Sequence, residues 1–430
     1  MAMAMPTRSR ASKAAVGGRQ IGRSGGRPAP RLPGWRSILY AAAMLLFWLA
    51  VTLFTGSSAM EVYSPSRAIS LNPFNASAKA QLANDLVYIS GDPEQVGTAA
   101  ALSRAALDGN PTLPAAYRMI ALENARGGKL AKPAILAATW LTRRDYIANL
   151  WLIEDAVKRG RMDEAMTEVD ASLRTSRRSQ ALLFPILATA MAEPEMHPHF
   201  VSVFRRDPVW LPSFLGHYLS TQKLPAAPLA QVMLPIREEL PASYRPLDRS
   251  LISLMVNQRD FAAARAYERA ITGTATRDTR RIIHNGRFEA EGPYPPIDWH
   301  LFREASYGSD IEEREKGNRL IVVSDEEQPR MVARQLVELV PGPYRLSARG
   351  RIITGNLDAA LDWRVDCAEK DGPRQLAALR IARGATGDPV DFTVPAVPCR
   401  NYWVSLNAAA GFGSESLQAE FQSVDLQPVR

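Results

Sequence analysis

The pattern of hydrophobic and polar positions changes character twice along this chain. From Ser37 to Met60 it is nearly continuous: SILYAAAMLLFWLAVTLFTGSSAM holds no charged side chain. At ~1.5 Å rise per residue this run can cross a hydrocarbon core roughly 30 Å thick. No polar face interrupts it, which argues for a membrane-crossing helix over a buried core helix. From Asn72 to about Ala270 apolar residues recur at three- and four-residue spacing, in text rich in Ala and Leu, and this period predicts amphipathic helices. After Arg280-Arg281 the segments shorten and alternate, with turn residues every 8–12 positions, which predicts a β-sandwich.

The strands are expected at Leu320–Val323, Gln335–Leu339, Tyr344–Ile352, Ala360–Cys367, Leu376–Ile381, Val390–Val394, Tyr402–Leu406 and Ala419–Leu426, with turns at Pro341-Gly342-Pro343 and Gly372-Pro373. Alternation is strict in Leu361-Asp362-Trp363-Arg364-Val365-Asp366-Cys367. It puts Trp363 on an apolar, core-facing side and the charged residues on the other.

The helical stretch repeats itself. Asn72-Pro73 returns as Asn110-Pro111, and Asp145 holds the next equivalent place. Gly91-Asp92, Gly127-Gly128 and Gly160-Arg161 mark helix–helix turns between them. Gly160-Arg161-Met162-Asp163-Glu164-Ala165, with Leu152, Ile153 and Ala156 before it, resembles the turn and packing positions of a tetratricopeptide repeat, and Arg259-Asp260-Phe261-Ala262-Ala263-Ala264 resembles another. The first two units run longer than the usual ~34 residues, and Ile153 stands where a small residue is common. Prolines 185, 194, 198, 208 and 212 predict irregular helices up to about 247. The resemblance implies a stacked array whose groove binds a protein partner; a rigid spacer is the alternative.

Asn285-Gly286-Arg287-Phe288-Glu289, then Pro296-Ile297-Asp298-Trp299, and the turn into Tyr344-Arg345-Leu346 resemble the opening and the long strand of galactose-binding and carbohydrate-binding jelly rolls. The domains expected are therefore a basic, disordered tail over 1–36, a span over 37–60, a helical-repeat domain over 61–275 and a sandwich over 280–430. The sandwich resemblance implies polysaccharide as a ligand. Exposed rings would stack on sugar, and Tyr294, Trp299, Tyr307 and Trp403 are the candidates, each also readable as core.

Charge alters the picture in one way. The chain carries +8, yet eight of its 52 Lys and Arg lie in the first 36 residues, which hold no acid. The remainder balances 44 against 44 Asp and Glu. A charge-balanced body without a basic stripe excludes nucleic acid as its partner. The basic flank sets the N-terminus in the cytoplasm and the folded part outside, in the periplasm, as a single-pass inner-membrane protein. Cleavage after the small residues Ser57-Ser58-Ala59 is the alternative. Outside the cytoplasm the two cysteines, Cys367 and Cys399, read as one disulfide; two buried free thiols are the other reading.

Candidate chemistry is sparse. Glu195-Met196-His197-Pro198-His199 has a metal-like look but no third ligand at zinc spacing, and it sits in what reads as a solvated loop. Phosphate-loop and nucleophile-elbow motifs are missing. Glu312-Glu313 and Glu326-Glu327 are adjacent and point apart, unlike a glycosidase pair. Gly411-Phe412-Gly413 reads as a tight turn. The expectation is a non-enzymatic, membrane-tethered scaffold of an envelope or exopolysaccharide assembly, without cofactor or metal. A glycan-binding module carried on a helical spacer is the alternative.

Overall fold

The computed structural model describes residues 34–429, except 90, 222, 274–280, 316, 370–374, 385–386 and 397–398. Nearly all of the basic tail, the expected domain boundary near 275–280 and the turn at Gly372-Pro373 lie outside the described residues. The chain forms two compact units, Met1–Pro111 and Thr112–Arg430.

The first unit opens with α1 (Trp35–Met60), one uninterrupted helix long and apolar enough to cross a bilayer. Its side chains are exposed from residue 35 to 55, as a lipid-facing helix requires, but Ser57 in its last turn is not. Ser57 is fully buried against α2 (Pro65–Leu71) and α3 (Ala76–Tyr88). Its Oγ donates to the carbonyl of Ala68 and accepts from Nδ2 of Asn75, at 2.7 and 2.8 Å. Asn75 meanwhile caps α3 through Oδ1, 2.9 Å from the amide of Ala78. A 3-10 turn at Pro93–Gln95 leads into α4 (Val96–Gly109), which packs on α3 through the buried alanines 78, 83, 99 and 106.

Among the described residues the second unit begins with ten α-helices: α5 (Pro114–Arg126), α6 (Lys132–Leu141), α7 (Tyr146–Lys158), α8 (Met162–Thr175), α9 (Arg177–Ala190), α10 (His197–Phe204), α11 (Leu211–Ser220), α12 (Ala226–Met233), α13 (Pro246–Asn257) and α14 (Phe261–Thr272). Their pairing follows the turn residues read in the sequence. Gly128 after α5 and Gly160 after α7 both hold φ +69°, the left-handed stop that glycine adopts at least cost. Arg259 takes the same conformation (φ +63°) between α13 and α14, where no glycine is available. The proline-rich stretch stays helical because Pro198 and Pro212 fall in the first turns of α10 and α11, where a backbone N–H has no helical partner.

Ten strands follow among the described residues: β1 (His300–Leu301), β2 (Tyr307–Glu312), β3 (Arg319–Ser324), β4 (Arg330–Glu338), β5 (Gly342–Thr354), β6 (Ala360–Cys367), β7 (Ala377–Ala382), β8 (Val390–Val394), β9 (Asn401–Ala409) and β10 (Leu417–Pro428). They build two five-stranded antiparallel sheets, ordered β1-β4-β9-β6-β7 and β2-β3-β10-β5-β8, with a core between them. All eight expected strands are present. The two unexpected ones are β1, too short to show a period, and β2, whose Tyr-Gly-Ser-Asp-Ile-Glu is mostly polar.

Trp363 lies at the centre of the sandwich core, edge-on to Trp299 and Phe421 at 5.7 and 5.4 Å. Gly350 on β5 faces the ring of Phe421, which occupies the space a Cβ would need. Cys367, ending β6, and Cys399, leading into the neighbouring β9, form a disulfide with Cα atoms 6.1 Å apart.

The sandwich and the helices before it share a hydrophobic core. The cluster that begins at Met166 on α8 and passes through Phe200, Phe214 and Leu251 takes in Ile297, Leu336 and Ala368 of the sandwich. A buried polar network lies at this junction. Asp248 on α13 accepts from Tyr267 Oη on α14 at 2.7 Å and from Arg237 Nε at 2.8 Å. Satisfying both carboxylate oxygens is what makes a 3% exposed aspartate tolerable.

Candidate functional site

The site is the outer face of the first sheet, and a bulge creates it. The register of β4 against β9 shifts between Met331 and Ala333. Beyond the shift Ala333 and Val337 point into the sandwich core, so Arg334 and Leu336 point outward. On β9 the alternation is regular. Tyr402, Val404, Leu406 and Ala408 are fully buried inside, while Trp403, Ser405 and Asn407 face out. On β6 the outward residues are Asp362, Arg364 and Asp366.

Cross-strand register assembles these into rows. One row runs His300, Arg334, Ser405, Arg364 across β1, β4, β9 and β6. The next holds Leu336, Trp403 and Asp366, and a third Asn407, Asp362 and Arg380. In the central row three polar atoms are buried without a hydrogen-bond partner among the described residues: Arg334 Nε, Ser405 Oγ and Arg364 Nε. Ser405 itself is 1% exposed. Native proteins rarely leave such atoms unmet, so this row carries hydrogen-bonding capacity that the described residues of the chain do not use.

Electrostatics separates the two arginines. Arg364 leans on Asp362, 3.5 Å away. Arg334 has no acid within salt-bridge distance among the described residues; its guanidinium lies 4.5 Å from the ring centre of Trp403 and 5.7 Å from that of Phe302. Burial lowers its pKa from the usual guanidinium value. Burial also lowers that of His300, with Arg334 and Arg249 adding to the effect. The Asp366 carboxyl is raised, again by burial, against an opposing pull from Arg364.

Helices wall one side of this face. Leu336 belongs to the helical core and Trp403 packs against it. Arg265 of α14 donates to Asn401 Oδ1 and to the carbonyl of Leu336, both at 3.3 Å, and Ser253 of α13 donates to the carbonyl of Pro295 at 2.9 Å.

The candidate rings are scattered by the fold. Trp299 is a correction: it is 1% exposed in the sandwich core, donates from Nε1 to the carbonyl of Asn285 at 3.1 Å, and has no face to offer a sugar. Tyr294 is half-buried against the helices. Tyr307 is on the other sheet, packed on the sandwich core. Only Trp403 stands on the outer face, and Arg334 covers its ring. His197 and His199 lie in the first turn of α10 and not in a loop, a second correction; His199 Nδ1 lies 2.6 Å from Asp163 Oδ1 and His197 Nε2 3.0 Å from the carbonyl of Met191. Among the described residues no three metal-ligating side chains gather.

The residues missed by the sequence reading are Arg334 and Ser405. Arg364 and Asp366 were legible as the charged side of β6. The bulge hid the facing of Arg334, and Ser405 carries no signal in an apolar strand.

Concavities indent the helical part, two of them among the described residues being these. One, about 660 Å³, is mostly apolar and is lined by Pro208, Pro212, Leu215 and Tyr244 among others. The other, about 460 Å³, is bordered by Arg118, Arg144, Asp145 and Arg178 at the entries to α5, α7 and α9. Arg118 there pairs with Asp145 at 2.9 Å.

No protein-family model and no curated protein match this chain. Among solved structures it is similar in fold to a CBM4 structure, at 13% identity over 34% of this chain and 99% of the other, with a TM-score of 0.25. It is also similar to TmCBM61 in complex with β-1,4-galactotriose, at 12% identity over 35% of this chain and all of the other, TM-score 0.25. The CBM22-1 xylan-binding domain of Xyn10C from Paenibacillus barcinonensis aligns at 12% identity over 34% and 92%, TM-score 0.25.

Proposed function

We propose that this is a membrane-tethered, non-enzymatic protein of the bacterial envelope that holds polysaccharide on the outer face of its first sheet, beside the wall made by α13 and α14. The observation that carries this reading is the row of Arg334, Ser405 and Arg364, with unmet polar atoms facing outward across three adjacent strands. Sugars are recognised by many convergent hydrogen bonds, and a flat row of guanidinium and hydroxyl groups on a rigid sheet supplies them without a loop having to order. The apolar α1 is the tether, retained in the inner membrane with the folded part in the periplasm, where the disulfide is stable.

The test is affinity electrophoresis of the full chain in detergent through gels containing single polysaccharides, neutral and acidic. Retardation by at least one, reversed by free oligosaccharide, is expected. Unchanged mobility of folded protein in every gel overturns the proposal.

A second reading is favoured by the arginine-bordered cavity at the entries to α5, α7 and α9. In it the tetratricopeptide-like helices also hold an acidic protein segment, making the chain a scaffold for exopolysaccharide assembly or export. Crosslinking in intact membranes is expected to join this cavity to another envelope protein; crosslinks only to cytosolic proteins would sink it.

A further inference from the structure

We infer that the polysaccharide held by this face is acidic and that Arg334 grips its carboxylate. The inference rests on the reading above and narrows it to a substrate class.

Neutral sugars are usually held by laying a pyranose face on a bare aromatic ring. This sheet face has rings, but they are already engaged. Trp403 has the Arg334 guanidinium over it at 4.5 Å and packs against the helical core. Phe302 faces the same guanidinium and is stacked on His300 with ring centres 4.5 Å apart and planes 11° from parallel. What the face presents instead is cationic.

Arg334 is the group left uncompensated. Its register neighbour His300 is a potential cation, not an acid. Glu291, the acid that acts on His300, is held by Arg303 at 2.6 Å. Arg249, which also acts on His300, adds positive charge. Across the row, Asp362 and Asp366 serve Arg364. A half-buried guanidinium packed against two rings is a planar fork, and its geometric complement is a carboxylate.

The experiment uses the full chain in detergent with polygalacturonate and alginate as probes. Fully methyl-esterified polygalacturonate, which keeps the backbone and removes the charge, and dextran sulfate serve as comparators. At least one polyuronate is expected to bind about 10- to 100-fold more tightly than the ester, the range of a charge-assisted pair. Arg334→Gln should lose that margin, and Arg334→Lys, which keeps the charge but not the fork, should lose part of it. Both variants are to be compared at unchanged melting temperature; if Arg334→Gln does not fold, Arg334→Lys decides. Equal binding of polyuronate and ester, indifferent to Arg334, overturns this inference and leaves polysaccharide binding standing. Binding of dextran sulfate as tightly as polyuronate overturns the choice of carboxylate. Binding of no polysaccharide overturns both this inference and the proposed function.

Discussion

Asn75 donates from Nδ2 to Oγ of Ser57, 2.8 Å away, and Ser57 passes the bond on to the carbonyl of Ala68. The last turn of the apolar helix is therefore built into the helices that follow it. Ser57-Ser58-Ala59, the small residues that resemble a cleavage site, are helical, and Ser57 is buried, whereas a peptidase needs an extended, accessible strand. Protein extracted from membranes is expected to yield the tryptic peptide spanning 37–67. A mature N-terminus close to Met60 would refute retention. Asn75→Ala, which removes both the cap and the bond to Ser57, should destabilise the first unit by about 1–2 kcal/mol.

The carboxylate of Asp248 joins α13, α14 and the segment containing Arg237, beside the hydroxyl of Tyr294. Removing it takes the buried partner from the Arg237 guanidinium and leaves it the exposed Glu238 as its acidic partner. Asp248→Ala should cost about 3–5 kcal/mol, whereas Asp248→Leu combined with Arg237→Leu should cost much less, because no unpaired charge remains. Denaturant midpoints of the two variants check the difference; equal losses would show that the network contributes by packing alone.

Alkali should unfold this protein through its tyrosines. Burial pushes the Tyr218 hydroxyl up to about 12, and burial raises Tyr267 and Tyr244 too, helped by bonds to Asp248 and Asp207. These folded-state values lie above the unfolded value near ~10. Below it both states are protonated and the stabilisation is complete. As the pH climbs from about 10 towards 12 the unfolded chain sheds protons that the fold retains, so stability falls. The denaturation midpoint should hold steady up to about pH 10 and then drop. Tyr218→Phe should make the drop shallower. A midpoint flat through that window would contradict the burial argument.

Trp299→Ala should behave as a core deletion. The ring fills space beside Phe288 and Trp363, and its loss should cost about 3–5 kcal/mol. Polysaccharide binding measured below the lowered melting temperature should survive. Binding lost from a demonstrably folded Trp299→Ala would return this residue to the site.

The Cys367–Cys399 bond closes a loop of 32 residues at the β6–β9 pairing. Reducing it, or replacing both residues by Ser, should lower stability by about 3–4 kcal/mol in the chain-entropy picture. Thermal melts with and without reductant measure this, and no shift would mean that β6 and β9 hold the loop unaided.

Much of the fold was legible because its signals are local. A 3.6-residue period, a two-residue period and an uncharged run each depend on neighbours in sequence. Gly128 and Gly160 mark hairpin turns because the left-handed conformation is a property of one residue. The candidate site was legible only in part. Arg364 and Asp366 follow from the alternation of β6, but Arg334 faces outward only because of the bulge beside Val332, and a single-residue shift inverts every side chain beyond it. Trp299 was readable both as a sugar-facing ring and as core, and the fold places it in the core.

By itself the sequence determined an apolar helix of membrane-spanning length, a helical array and a sandwich of short alternating strands. These follow from periodicity and composition, which act over a few residues at a time. Tertiary structure alone decided that Ser57 is sealed against the next helices, that the sandwich shares a core with α8–α14, and that Arg334, Ser405 and Arg364 stand in one row. Those outcomes depend on strand register and on long-range packing between segments tens of residues apart, and no short window of sequence encodes either.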